Sequence, residues 1–156
     1  MKYCVSTWNY LVNQEPEKSL PTASAEISQS GFGMELFLNW LPDPAFFDRS
    51  NWATVRECCD NPRLSLHSRH TKTFTAEGIR EEIDLCRYLE AELLVVHPIS
   101  LGIQAGTLEI FPTVELGDRD LRRISSIFEY AGQQQVTIAL ENGTLEILKW
   151  VREGLK

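Results

Sequence analysis

Ala91-Glu92-Leu93-Leu94-Val95-Val96-His97-Pro98 is a short apolar run with no Gly or Pro inside it, closed by a histidine and a proline. A run of this length reads as a strand buried on both faces, as in a parallel sheet covered by helices. Pro98 ends the ladder because proline has no N–H to donate. His97 then stands at the end of the sheet where α/β folds place their chemistry. Two other runs share the plan. Arg63-Leu64-Ser65-Leu66-His67 stops at a histidine, and Val136-Thr137-Ile138-Ala139-Leu140-Glu141-Asn142 stops at a carboxylate and an amide. These three strand ends are expected to converge on one site.

The chain around these runs alternates between strand and helix patterns. Lys2 to Trp8 is a first strand, with β-favouring Tyr, Val, Thr and Trp. Ser19-Leu20-Pro21 opens a helix that runs to about Ser30, where Gly31 supplies the stop. Gly33 to Trp40 is a second strand, and Ser50 or Asn51 caps a helix through Cys59. Thr75 caps the next helix, whose Ile79, Ile83, Cys86 and Leu89 mark a buried stripe. Residues 98–117 make the longest irregular stretch, of a length more often functional than idle. Asp118 starts a helix lined by Leu121, Ile124, Ile127, Phe128 and Ala131, and Thr144 to Leu155 forms a last amphipathic helix.

Strands begin near residues 3, 33, 64, 93 and 136, a period of roughly 30 that matches one βα unit and lengthens only across the long loop. Five βα units in a single domain, residues 1–156, predict an α/β fold with a parallel sheet and right-handed crossovers. Eight such units close a TIM barrel of about 250 residues. Two accounts fit: the N-terminal portion of such a barrel, without its last three units, or a complete open five-stranded sheet. The strand-end residues favour the partial barrel. Its open edges would call for a second copy, as a homo-oligomer, or for a missing C-terminal half.

A composition of 43% hydrophobic and 24% charged residues gives the chain enough apolar surface for a core and excludes disorder. The net charge of −7 argues against nucleic acid as a partner, while leaving phosphorylated small molecules open. Cys4, Cys58, Cys59 and Cys86 show no C-x-x-C spacing, so buried free thiols in a reducing cytosol are preferred to a zinc or redox motif. The N-terminus lacks the apolar core of a signal peptide and no run approaches a membrane span. A soluble, cytoplasmic protein with no membrane partner is expected.

Alternation along each strand puts His67 on one face with Ser65, His97 with Val95, and Glu141 with Ala139 and Thr137. Two imidazoles and a carboxylate suit Zn²⁺, Mn²⁺ or a similar divalent ion, with positions left for water or substrate. For any one histidine, a plain hydrogen bond at a half-buried strand end is the simpler account; the grouping of His67 and His97 with Glu141 favours a metal site. Trp8 and Trp40 could form an aromatic wall for a sugar, although rim packing explains each as well. His70 is either a site residue or a solvent-facing loop residue, and Asn142 is a turn residue first and a substrate contact second.

The segments Gly33-Met34-Glu35-Leu36-Phe37-Leu38, Leu64-Ser65-Leu66-His67, Ala91 to Pro98 and Ile138-Ala139-Leu140-Glu141-Asn142, in this order, resemble the xylose-isomerase-like TIM barrels. That superfamily contains sugar-phosphate isomerases and epimerases and the endonuclease IV type of repair enzyme. The resemblance implies a metal-dependent sugar or sugar-phosphate isomerase or epimerase, with Mn, Zn, Co or Mg as the divalent cofactor and a small-molecule sugar as its partner. It implies metal ligation by His67, His97 and Glu141, with Glu141 doubling as acid–base residue and His97 beside the reaction. It also implies that Glu35 points into the barrel toward substrate. The family's remaining ligands lie on its sixth to eighth strands, which leaves the shell incomplete here and makes activity of this chain alone an open question. An endonuclease IV-like phosphodiesterase and a non-catalytic half-barrel are the alternatives.

Overall fold

The computed structural model describes residues 4–8, 20–38, 44–59, 61, 63–69, 76–97, 101, 118–141, 149 and 152–153. Strands β1 (Cys4–Ser6), β2 (Gly33–Phe37), β3 (Leu64–His67), β4 (Leu93–Val96) and β5 (Thr137–Leu140) form one sheet, wholly parallel, in the order β1-β2-β3-β4-β5. Helices α1 (Leu20–Gln29), α2 (Trp52–Cys58), α3 (Ala76–Tyr88) and α4 (Asp118–Gln133) fall between successive strands. Right-handed crossovers in a sheet that grows steadily in one direction carry every helix to the same face. This winding is that of a barrel, not of a doubly wound sheet.

Register and alternation sort the strand residues onto two faces. Leu36, Leu66, Leu94 and Ile138 stand side by side on the helix-covered face, as do Val96 and Leu140. Leu36, Leu66, Leu94 and Val96 are fully buried against helix residues such as Ile27, Val55, Ile83 and Ile124. The opposite face carries Ser6, Glu35 and Ser65 in one row, and Phe37, His67, Val95 and Ala139 in the next. In β3 and β5, large aliphatics under the helices with smaller and polar groups opposite is the distribution expected from the sequence, while β2 adds the Phe37 ring to the inner face.

The helices form where apolar spacing dictates. Leu20, Ala23, Ser24 and Ile27 bury one stripe of α1, and Gly31 ends that segment at φ 76°, a left-handed conformation that costs glycine little. In α3 the expected stripe of Ile79, Ile83 and Cys86 is buried, with Leu89 just beyond the helix. Within α4, Ile124, Ile127 and Ala131 are buried, while Leu121 and Phe128 are half-buried.

Several expectations need adjustment. The first strand is shorter than Lys2 to Trp8, but Thr7 extends the pairing: its N–H donates to Glu35 O at 2.9 Å and its hydroxyl accepts the Phe37 N–H at 2.9 Å. The second strand ends at Phe37. Asn51 holds the cap position of α2 without a side-chain cap bond: the 3-10 turn (Arg49–Asn51) that leads in leaves its backbone at φ −106°, ψ 0°, away from the extended conformation of a capping residue. All four cysteines are free, but only Cys59 and Cys86 are buried and Cys4 is exposed. Burial pushes the Cys59 thiol up to about 12 and the Cys86 thiol higher still, so both stay protonated. The Thr75 cap, most of residues 98–117 and most of the last helix lie outside the described residues.

Among the described strands, β1 pairs only with β2 and β5 only with β4, so both outer strands present an unpaired edge. No helix among the described residues is long and apolar enough to cross a membrane.

Candidate metal centre

Backbone pairing continues one step past the strands along a single rim. The Leu38 N–H donates to His67 O (3.0 Å), Ser68 N–H to Val95 O (2.8 Å) and Glu141 N–H to Val96 O (2.9 Å). His67 closes β3, while His97 and Glu141 follow β4 and β5 directly, so all three stand at the carboxyl-terminal end of the sheet.

The side chains converge there. His67 Nε2 lies 3.0 Å from Glu141 Oε2 and 3.2 Å from His97 Nε2, and the third separation, His97 Nε2 to Glu141 Oε2, is 3.8 Å. The imidazoles are sheltered, with side chains 8% and 16% exposed, whereas Glu141 is 47% exposed and reaches the cluster from the open side.

A tautomer follows from the next bond. His67 Nδ1 sits 3.1 Å from Ser68 O, a carbonyl that can only accept, so Nδ1 carries a proton and the ring turns its Nε2 toward the cluster. There it faces an imidazole nitrogen and a carboxylate oxygen. Three such atoms brought this close can share a cation, either a proton or a metal ion. Donor atoms about 2.0–2.1 Å from a tetrahedral Zn²⁺ stand about 3.3 Å from one another; separations of 3.0, 3.2 and 3.8 Å bracket that value. The residues present therefore fit a divalent ion.

Aromatic rings continue the inner face. Trp8, 44% exposed just beyond β1, packs edge-on against Phe37 with centroids 4.8 Å apart; Phe37 lies 5.0 Å from the His67 ring, and that ring 5.0 Å from His97. Trp8 is thus tied to the cluster through Phe37, a residue sequence reading passed over. Counting from Glu35 along β2 would have found it, because Phe37 shares that face. Glu35 itself lies a row deeper, beside Ser6 and Ser65, and is not gathered with the three converging groups. Trp40, His70 and Asn142 lie outside the described residues.

Glu82 was also missed. It sits on the buried stripe of α3, 6% exposed, and accepts the Arg69 N–H through Oε1 at 3.1 Å. Its other oxygen, Oε2, is buried without a hydrogen-bond partner. Burial pushes this carboxyl from its ordinary 4.5 up to about 7, helped by Glu81 and opposed chiefly by the Arg69 N–H and guanidinium. The available signal was an acidic residue three positions after Ile79, on the apolar stripe.

By sequence, the chain matches no protein-family model and no curated protein. By structure it resembles a D-tagatose 3-epimerase-like protein (TM-score 0.61, 19% identity, 99% of this chain and 60% of that one). It also resembles the TTHB071 protein of Thermus thermophilus, solved with ZnCl2 soaking (0.66, 20%, 98% and 61%). A third likeness is to an uncharacterised protein of Parabacteroides distasonis (0.62, 17%, 99% and 58%). The fold is that of a partial TIM barrel, five parallel strands with helices between them. The chain spans about 60% of the length of the solved structures it matches.

Proposed function

We propose that this chain carries the metal-binding portion of a cytoplasmic sugar or sugar-phosphate isomerase or epimerase, using Mn²⁺, Zn²⁺, Co²⁺ or Mg²⁺ held by His67, His97 and Glu141. One observation carries the reading: two imidazoles and a carboxylate from successive strand ends converge to within 3.8 Å at the carboxyl rim. The likeness to a D-tagatose 3-epimerase-like protein supports the substrate class, and the ZnCl2-soaked neighbour supports the metal.

When bound, the ion would polarise a carbonyl oxygen of the sugar and so acidify the adjoining C–H. Glu141 moves that proton: its carboxylate is half-exposed and can meet a substrate while its Oε2 stays near both histidines. His97 would stand beside the reacting carbons while sharing in the hold on the ion, and His67, its Nδ1–H given to Ser68 O, would hold the ion from the sheltered side. Trp8 presents a flat apolar face to the sugar, with Glu35, Trp40, His70 and Asn142 as further contacts. Protein ligands beyond these three would come from a second copy or from the remaining strands of a full barrel.

A second reading, a phosphodiesterase resembling endonuclease IV, draws on the paired histidines. The net charge of −7 weighs against it.

The test is proton exchange. Metal-loaded protein is incubated in D2O with a panel of ketoses and ketose phosphates, and deuterium next to the carbonyl is followed by NMR. The reading predicts wash-in that falls by roughly 10²–10⁴-fold in Glu141→Gln. Exchange equal in wild type and variant, or absent across the panel, contradicts it.

A further inference from the structure

The peptide group between Ser68 and Arg69 is engaged at both ends. Its carbonyl, Ser68 O, accepts from His67 Nδ1–H at 3.1 Å, and its N–H, on Arg69, donates to Glu82 Oε1 at 3.1 Å. In a trans peptide these two dipole ends point in opposite directions, so the bonds run in series: carboxyl, peptide, imidazole, cluster. The unit is held in place from other sides too. Ser68 N–H donates to Val95 O at 2.8 Å, and the Arg69 guanidinium donates to Phe47 O at 3.2 Å, with Asp48 at 3.8 Å.

We infer that Glu82 is a positioning residue for the candidate metal centre, acting on His67 through the Ser68–Arg69 peptide. Metal-ligating histidines characteristically donate their second N–H to a carbonyl or carboxylate, which sets the tautomer and raises the basicity of the ligating nitrogen. Here the carbonyl is present and a carboxyl group stands behind it. Hydrogen bonds in series polarise one another, so the acceptor on Arg69 N–H makes Ser68 O a stronger acceptor for Nδ1–H. The location of Glu82 agrees. A carboxyl group buried on an apolar stripe, with one oxygen unpartnered, is unfavourable for the fold itself, and an aliphatic side chain would suit that helix face better. From that place its Oε1 reaches the peptide next to His67.

The metal half of this inference rests on the proposed function, but the ring half does not, and the test separates them. In metal-free protein at alkaline pH, where the imidazole is neutral, ¹⁵N and ¹H resonances of the His67 ring report its tautomer and the strength of the Nδ1–H bond. Wild type is expected to show the Nδ1–H form. Glu82→Met, which removes the acceptor, is expected to give a mixture of tautomers, and Glu82→Gln, which keeps an oxygen but loses the charge, to move the Nδ1–H proton upfield. The Zn²⁺ dissociation constant is expected to rise about 10–100-fold in Glu82→Met and by a smaller factor in Glu82→Gln. An unshifted ring in Glu82→Gln, together with an unchanged tautomer in any Glu82→Met protein that folds, overturns the inference. Should wild type bind no divalent ion, the ring resonances alone decide it.

Discussion

His67 and His97 stand thirty positions apart in the chain, and their Nε2 atoms are 3.2 Å apart. That spacing is one βα unit. Parallel strands set side by side by right-handed crossovers return the chain to the same rim at each unit, so residues ending consecutive strands become neighbours. Phe37 and Trp8 join the same row from the two preceding strands.

Trp8 leans on Phe37 and leaves nearly half its surface open toward the rim. Replacing it by alanine removes one edge-to-face ring pair, so the stability cost is about 1 kcal/mol. If its ring is a platform for sugar, Trp8→Ala weakens sugar binding about tenfold (about 1.4 kcal/mol) while metal affinity stays the same. Calorimetric titrations with metal and with sugar check both halves. Equal loss of the two affinities would make Trp8 a structural support and not a substrate contact.

Glu82 makes stability depend on pH in an unusual direction. Its carboxyl holds a proton more tightly in the fold than in the unfolded chain, about 7 against 4.5. The folded state binds more protons between these values, so stability falls as pH rises through that window and is greatest below it. The groups facing Glu82 are the Arg69 guanidinium, which moderates the shift, Glu81, which adds to it, and the Cys86 thiol, itself raised in part by Glu82. The loss is on the order of 3 kcal/mol for the single group. Urea denaturation of wild type and Glu82→Gln across this range is expected to show the decline in wild type and a flatter profile in the variant. Parallel profiles would mean the carboxyl is not burdened by its burial.

Leu94 and Val95 are adjacent and face opposite ways. Leu94 is fully buried under the helices, whereas Val95 stands beside His67 on the inner face and is half-buried. Leu94→Ala should cost about 2–5 kcal/mol through lost burial and a residual cavity. Val95→Ala should cost less. Thermal and urea unfolding of the pair tests the face assignment, and a larger loss at Val95 would reverse it.

Much of this arrangement was legible in the sequence because its determinants are local. Ile79, Ile83 and Cys86 repeat at helical spacing, Leu94 and Val96 alternate with Val95, and Gly31 marks the end of α1; each pattern depends on residues a few positions away. The rim placement of His67, His97 and Glu141 was legible too, because a strand's end can be read from where its apolar run stops. What escaped depends on distant partners. Glu82 resembles any other acidic residue of an amphipathic helix until Arg69, just past β3, is brought alongside to donate to it. Thr7 continues β1 through its hydroxyl and the Phe37 N–H, a pairing visible only once β2 lies alongside. The capping role expected of Asn51 was lost to a 3-10 turn that spacing alone does not announce.

His67, His97 and Glu141 are proposed to hold one divalent ion together. Titration of metal-free protein with Co²⁺, followed by its d–d absorption, tests this most directly, because band intensity reports coordination number and nitrogen donors. One ion per chain is predicted. In each of His67→Ala, His97→Ala and Glu141→Ala, affinity should drop further than the roughly 10–100-fold that loss of an outer partner costs. No Co²⁺ spectrum in wild type, or affinity unchanged in any one of the three variants, would contradict the account.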